Sequence, residues 1–79
     1  MPSERTRQII CQRVATALKE ERLRLGLSMT ALAQKAGLSQ QMVSYVERGM
    51  RNPTLDTLLR ISGELKIPLW KLLHDSEMM

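Results

Sequence analysis

Phenylalanine is absent from this 79-residue chain, and tryptophan and tyrosine occur once each, as Trp70 and Tyr45. Any core must therefore be built from aliphatic side chains drawn from the 43% hydrophobic content, and this length makes it a modest one belonging to a single domain, residues 1–79. Cysteine is nearly absent too. The lone Cys11 excludes an internal disulfide, and one cysteine with one histidine, His74, cannot make a structural zinc site. No apolar run approaches the ~20 residues of a membrane span, and the opening MPSERTRQ lacks the apolar centre of a signal peptide, so a cytoplasmic protein with no membrane partner is expected. Enzyme signatures are missing as well: there is no phosphate-cradling glycine loop, no paired carboxylates, and no nucleophile with an identifiable base. Neither metal nor other cofactor is expected. Acidic residues are the minority, eight against twelve Lys plus Arg, for a net charge of +4. That sign suits a phosphate-rich partner, though many small domains are mildly basic.

What is present is helical periodicity broken by caps. The first helix starts after Ser3, runs over about residues 4–25 and stops at Gly26. Ile10, Val14, Ala17, Leu18 and Leu25 form its inward stripe, while Arg7, Arg13, Lys19, Glu20 and Arg24 form the opposite, solvated face. At the front of this helix Ile9 and Cys11 are placed to cover another helix or a partner.

The motif at 28–48 comes next. Ser28 can cap a helix entered at Met29, in which Leu32, Ala33 and Ala36 share one side while Thr30 and Gln34 point away. Gly37 can take positive φ and end it, Leu38 can pack back, and Ser39 restarts the chain as a second cap. From Gln40 to Arg48 the residues Gln40, Gln41, Ser44, Tyr45 and Arg48 share an arc of roughly 140°, opposite Met42, Val43 and Val46. A glutamine carboxamide offers a donor and an acceptor together, which matches the N6 and N7 edge of adenine in a DNA major groove. From the residues alone, the same arc also reads as an ordinary solvated helix face.

Beyond the motif, Pro53 fixes the backbone and Thr54 caps a fourth helix with Leu55, Leu58, Leu59, Ser62 and Leu65 inward. Pro68 opens a last helix at about 68–74 carrying Leu69, Trp70, Leu72 and Leu73, with His74 at its end and the terminal residues frayed. Leu69, Leu72 and Leu73 can serve the core. Trp70 is then in excess, and with Leu73 it is the candidate dimer interface.

The string from about Arg22 to Leu73 resembles the Cro/repressor-type helix-turn-helix family, also called the XRE family, found in phage repressors, restriction-modification controllers and antitoxins. Ala33, Gly37, Val43 and the Glu47-Arg48-Gly49 triplet match its pattern, as does the Asn52-Pro53-Thr54-Leu55 segment. The resemblance implies an all-α, compact five-helix bundle of the lambda-repressor-like DNA-binding type. It implies base contacts from Ser39, Gln40, Gln41, Ser44 and Tyr45, and phosphate contacts from Thr30, Arg48, Arg51 and Asn52. An ion pair between Arg22 and Glu47 is also implied. Two positions depart from the family: Met29 stands where many members have a bracing glutamine, and Tyr45 where short polar residues are common. Met29 becomes a packing residue, and Tyr45 is suited to a sugar or a thymine methyl. The expected function is a transcriptional regulator binding double-stranded DNA as a homodimer on a palindromic operator. The alternative is an antitoxin-like interaction module whose main partner is another protein.

Overall fold

The computed structural model describes residues 3–50 and 52–78, and among these it holds five helices and no strand: α1 (Glu4–Arg24), α2 (Met29–Ala36), α3 (Gln40–Glu47), α4 (Leu55–Glu64) and α5 (Leu69–Glu77). Four of the five start on a hydroxyl. Ser3, Ser28, Ser39 and Thr54 each accept a hydrogen bond from the backbone N–H three residues on, at 3.0–3.1 Å, which satisfies one donor that the first turn would otherwise leave unpaired. α5 follows Pro68, which supplies no side-chain cap.

At roughly 1.5 Å per residue α1 is about 31 Å long and sets the 35 Å long dimension of the molecule. The other helices pack along it, α3 and α5 directly and α2 through α3 and α4. The core is aliphatic: Leu18 of α1, Leu32 of α2, Val43 of α3 and Ile61 of α4, with Leu65 just past α4, are shielded from solvent, and Val14, Val46 and Leu72 close its edges.

Three expectations about this core need correction. Leu25 is 39% exposed, because α1 ends at Arg24 and the turn through Gly26 swings Leu25 off the stripe. On α4 the inward line is the half-buried Leu58 with the buried Ile61, Ser62 and Leu65, so Leu55 (63% exposed) and Leu59 (51%) lie on its flank, roughly 60–100° around the helix. Leu73 is 38% exposed and leaves the α5 contribution to Leu72 and the half-buried Leu69.

The last helix also outruns its expected end at 74. It continues to Glu77 because Arg13 of α1 donates from Nη1 to the carbonyls of Ser76 and Met78, both at 3.4 Å, which gives terminal carbonyls a cationic partner. His74 thus lies inside α5, with Nδ1 3.3 Å from Asp75. Arg13 is not a bystander on a solvated face. Arg24, on that same face, pairs with Glu21 one turn earlier, and this guanidinium holds the Glu21 carboxyl below its ordinary range.

Helix ends at Gly26, Gly37 and Gly49 use a left-handed residue, and the end of α4 uses Lys66 with φ 61°. Its neighbours make the same closing pattern, Lys66 N–H to Gly63 O and Ile67 N–H to Ser62 O at 3.2 and 3.1 Å. A side chain in that region carries a steric cost that glycine lacks. Lys66→Gly is therefore expected to raise stability by about 0.5–1 kcal/mol on a urea unfolding curve. An unchanged or lower midpoint would show that Lys66 earns its place by contacts of its own.

Candidate nucleic-acid interface

The turn between α2 and α3 is set by Gly37, which closes α2 at φ 71° while Leu38 N–H reaches back to Ala33 O at 2.9 Å. A β-carbon on Gly37 would lie 3.0 Å from Arg60 Nη1, so the position is restricted twice, by its backbone and by the neighbouring side chain. That guanidinium comes from α4. It donates to Ala36 O at 3.3 Å and, through Nε, to Asp56 at 2.8 Å.

On the inner side of α3, Val43 and Val46 are buried and Met42 is half-buried against the core. On the outer side Gln40, Gln41 and Arg48 are exposed, while Ser44 and Tyr45 are half-buried. Ser39 starts the helix, and its Oγ accepts from Met42 N–H at 3.1 Å. That bond leaves Ser39 its hydroxyl proton and a second lone pair to offer a ligand.

The outer side chains are not independent. Gln41 Nε2 donates to Tyr45 Oη at 2.6 Å, and the Arg48 guanidinium carbon lies 5.8 Å from the centre of the Tyr45 ring. Spacings of four and then three residues bring this row together on one helix face. Gln40 alone among the polar residues of the first turn keeps an exposed carboxamide outside the row. The sequence reading treated the two glutamines alike, although the i, i+4 relation of Gln41 and Tyr45 was there to be seen.

The remaining candidates lie around α3. Thr30 is exposed in the first turn of α2, and Asn52 is exposed in the loop between α3 and α4. Arg51 lies outside the described residues. Met29 is half-buried and packs against the core, as a thioether in place of a bracing carboxamide should.

Arg22 and Glu47 are brought together by the fold. Arg22 donates from Nε to Glu47 Oε2 at 2.7 Å and from Nη2 to Oε1 at 3.0 Å, and from Nη1 to Leu27 O at 2.8 Å. Both side chains are buried, at 7% and 3% exposure. One guanidinium thus ties α1 to the end of α3 and to the turn that precedes α2. On α5 Trp70 is 70% exposed, and no described helix is long and apolar enough to cross a membrane.

A family profile described as helix-turn-helix matches residues 18–69, which spans α2, α3, α4 and most of the packing around them. The chain belongs to the Cro/repressor-type (XRE) family of helix-turn-helix DNA-binding proteins. As a member it is a binding domain and not an enzyme. Among curated relatives, the HTH-type transcriptional regulator SutR of Escherichia coli strain K12 is 36% identical over 55 residues, covering 70% of this chain and 31% of the relative. SinR of Bacillus subtilis strain 168 is 31% identical over 68 residues, covering 81% of this chain and 61% of SinR. The chain thus spans less than two thirds of these relatives.

Solved structures of similar fold include the restriction-modification controller protein C.AhdI from Aeromonas hydrophila, at 35% identity and a TM-score of 0.74, covering 78% of this chain and 94% of that one. SinR, described as the master regulator for biofilm formation and solved in complex with DNA, aligns at 31% identity with a TM-score of 0.71, covering 76% and 97%.

Proposed function

We propose that this XRE-family chain is a sequence-specific transcriptional regulator that acts as a homodimer on a palindromic operator, with α3 entering the major groove of each half-site. The observation that carries this reading is the outer arc of α3: a row of exposed and half-buried hydrogen-bonding groups on a short helix whose opposite face is fixed in the core. The SinR structure solved with DNA, a relative of similar fold, supports it.

Within the arc, Gln40 is the principal base reader. Gln41 must exchange its bond to Tyr45 before its carboxamide can engage an adenine edge through both atoms, so its net contribution is smaller. Ser39 and Ser44 approach the bases as short donors, and Tyr45 meets a sugar or a thymine methyl. Arg48, Asn52, Thr30 and Arg51 serve the phosphates. Trp70 and Leu73 on α5 supply apolar surface that a second copy would cover. A cytoplasmic location fits such a role.

Selection from a random duplex library should enrich an inverted repeat. Gln40→Ala should then lose about 1–3 kcal/mol of discrimination at one position of each half-site, whereas Arg48→Ala should weaken binding on every sequence and lower the salt slope by about one unit. A library that yields no motif, together with a stoichiometric protein partner in a pull-down, would replace this reading by the interaction module. A light-scattering mass of one chain at micromolar concentration would remove the dimer.

A further inference from the structure

The front of α1 has a structural neighbour that its length alone does not explain. Glu4, Gln8 and Gln12 recur every four residues and share a face with Arg7 and Cys11. That face looks across an open cleft of about 630 Å³ at Gly49 and Asn52, in the loop that leaves α3. Helix and loop approach closely: Gln12 Oε1 would lie 2.6 Å from a β-carbon on Gly49, and the φ of 66° at Gly49 is a conformation that favours glycine. The cleft is lined by the Arg7 guanidinium and the carboxamides of Gln8 and Asn52, against the single carboxylate of Glu4; Gln12, whose Nε2 donates to Thr16 Oγ1 at 3.5 Å, turns its oxygen toward Gly49 and serves as wall. Arg7, Gln8 and Asn52 are all exposed.

We infer that this cleft holds a DNA backbone phosphate outside the base pairs read by α3, so that the front turns of α1 lengthen the footprint of each half-site. The inference rests on the DNA-binding reading given above. The chemistry fits a phosphate, which takes hydrogen bonds from the Arg7 guanidinium and from the carboxamide N–H groups of Gln8 and Asn52. The location fits too, because the loop beside the cleft continues directly from the helix proposed to enter the groove. Arg7 and Gln8 are then positioning contacts that carry no base preference of their own, and Glu4 tempers the local positive charge.

The test uses the whole chain and the duplex selected by it, once with several flanking base pairs on each side and once trimmed to the inverted repeat. On the long duplex, Arg7→Ala should lower the salt slope by about 0.9 unit per half-site and weaken binding several-fold without altering which bases are preferred. On the trimmed duplex the variant and the wild type should bind alike. Cys11, the only thiol of the chain and exposed on the cleft wall, provides a second readout: the long duplex should slow its alkylation by a maleimide several-fold, and the trimmed duplex should not. Because Arg7 is exposed, the variant should keep the wild-type melting curve. Wild-type protein that binds the long duplex while Arg7→Ala shows the same affinity and slope overturns this inference and leaves the DNA-binding reading intact. Wild-type protein that binds no duplex at all overturns both.

Discussion

Glu47→Ala should destabilise the domain by about 3–5 kcal/mol, measured as a shift in the urea unfolding midpoint at unchanged slope. The figure is large because the loss is asymmetric. With the carboxylate gone, Arg22 stays buried at the α1–α3 junction with an uncompensated charge, and only its bond to the Leu27 carbonyl survives. Arg22→Ala should be about as costly, since it strands the Glu47 carboxylate and frees the Leu27 carbonyl in the same step. The pair itself need not add much to stability, because desolvation offsets most of the attraction between its members. Replacing both at once, Arg22→Met with Glu47→Leu, should therefore recover much of what either single change loses. Arg22→Lys should not, because an ammonium cannot span two carboxylate oxygens and a carbonyl in one plane. Single variants that unfold within about 1 kcal/mol of the wild type would mean that water reaches the pair and screens it.

Leu32→Ala comes close behind, at about 2–5 kcal/mol. Leu32 sits on α2 with no exposed surface, in the cluster that also contains Leu18, Val43, Ile61 and Leu65. Its loss opens a cavity where α2, α3 and α4 meet, and with no large aromatic ring in that cluster the surrounding aliphatic groups are already close to their final packing. Domains of this size have only about 5–15 kcal/mol in total, so the variant should melt far below the wild type and be partly unfolded at assay temperature. Leu59→Ala is the matching control. Half of that side chain is exposed, and its removal should move stability by no more than about 0.5 kcal/mol. Equal effects at the two positions would contradict the α4 register described above.

Local chemistry made most of this architecture readable. Four hydroxyl caps, the helix-ending glycines Gly26 and Gly37 and the outer arc of α3 all follow from residues within a few positions of one another, and periodicity is a local property. Misplaced features depended on partners far along the chain. Leu55 and Leu59 looked inward because a leucine-rich helix offers more apolar positions than one stripe can bury, and only the packing of α4 against its neighbours selects Ile61 instead. The true end of α5 was hidden because Arg13 caps it from 63 residues away. In the candidate site, the identities of Gln40, Gln41, Ser44 and Tyr45 were legible from spacing. Their unequal availability was not, since it turns on one short hydrogen bond between Gln41 and Tyr45. The cleft along the front of α1 was equally hidden, for it joins Gln12 to a loop more than thirty residues later.

The reach of Arg60 bears on how the motif holds its shape. Its guanidinium bonds the last carbonyl of α2 and packs against Gly37 while being held in turn by Asp56. The hinge between the two short helices is thus clamped by a third helix. Eight-residue helices are too short to persist alone in water, and here the angle between them is borrowed from α4. The helix pair and α4 should accordingly open and close as one cooperative unit, with the amides around Gly37 exchanging with solvent no faster than those in the middle of α4. A helix-turn-helix of this kind is no detachable reading head. It keeps its angle only while the scaffold beside it is folded.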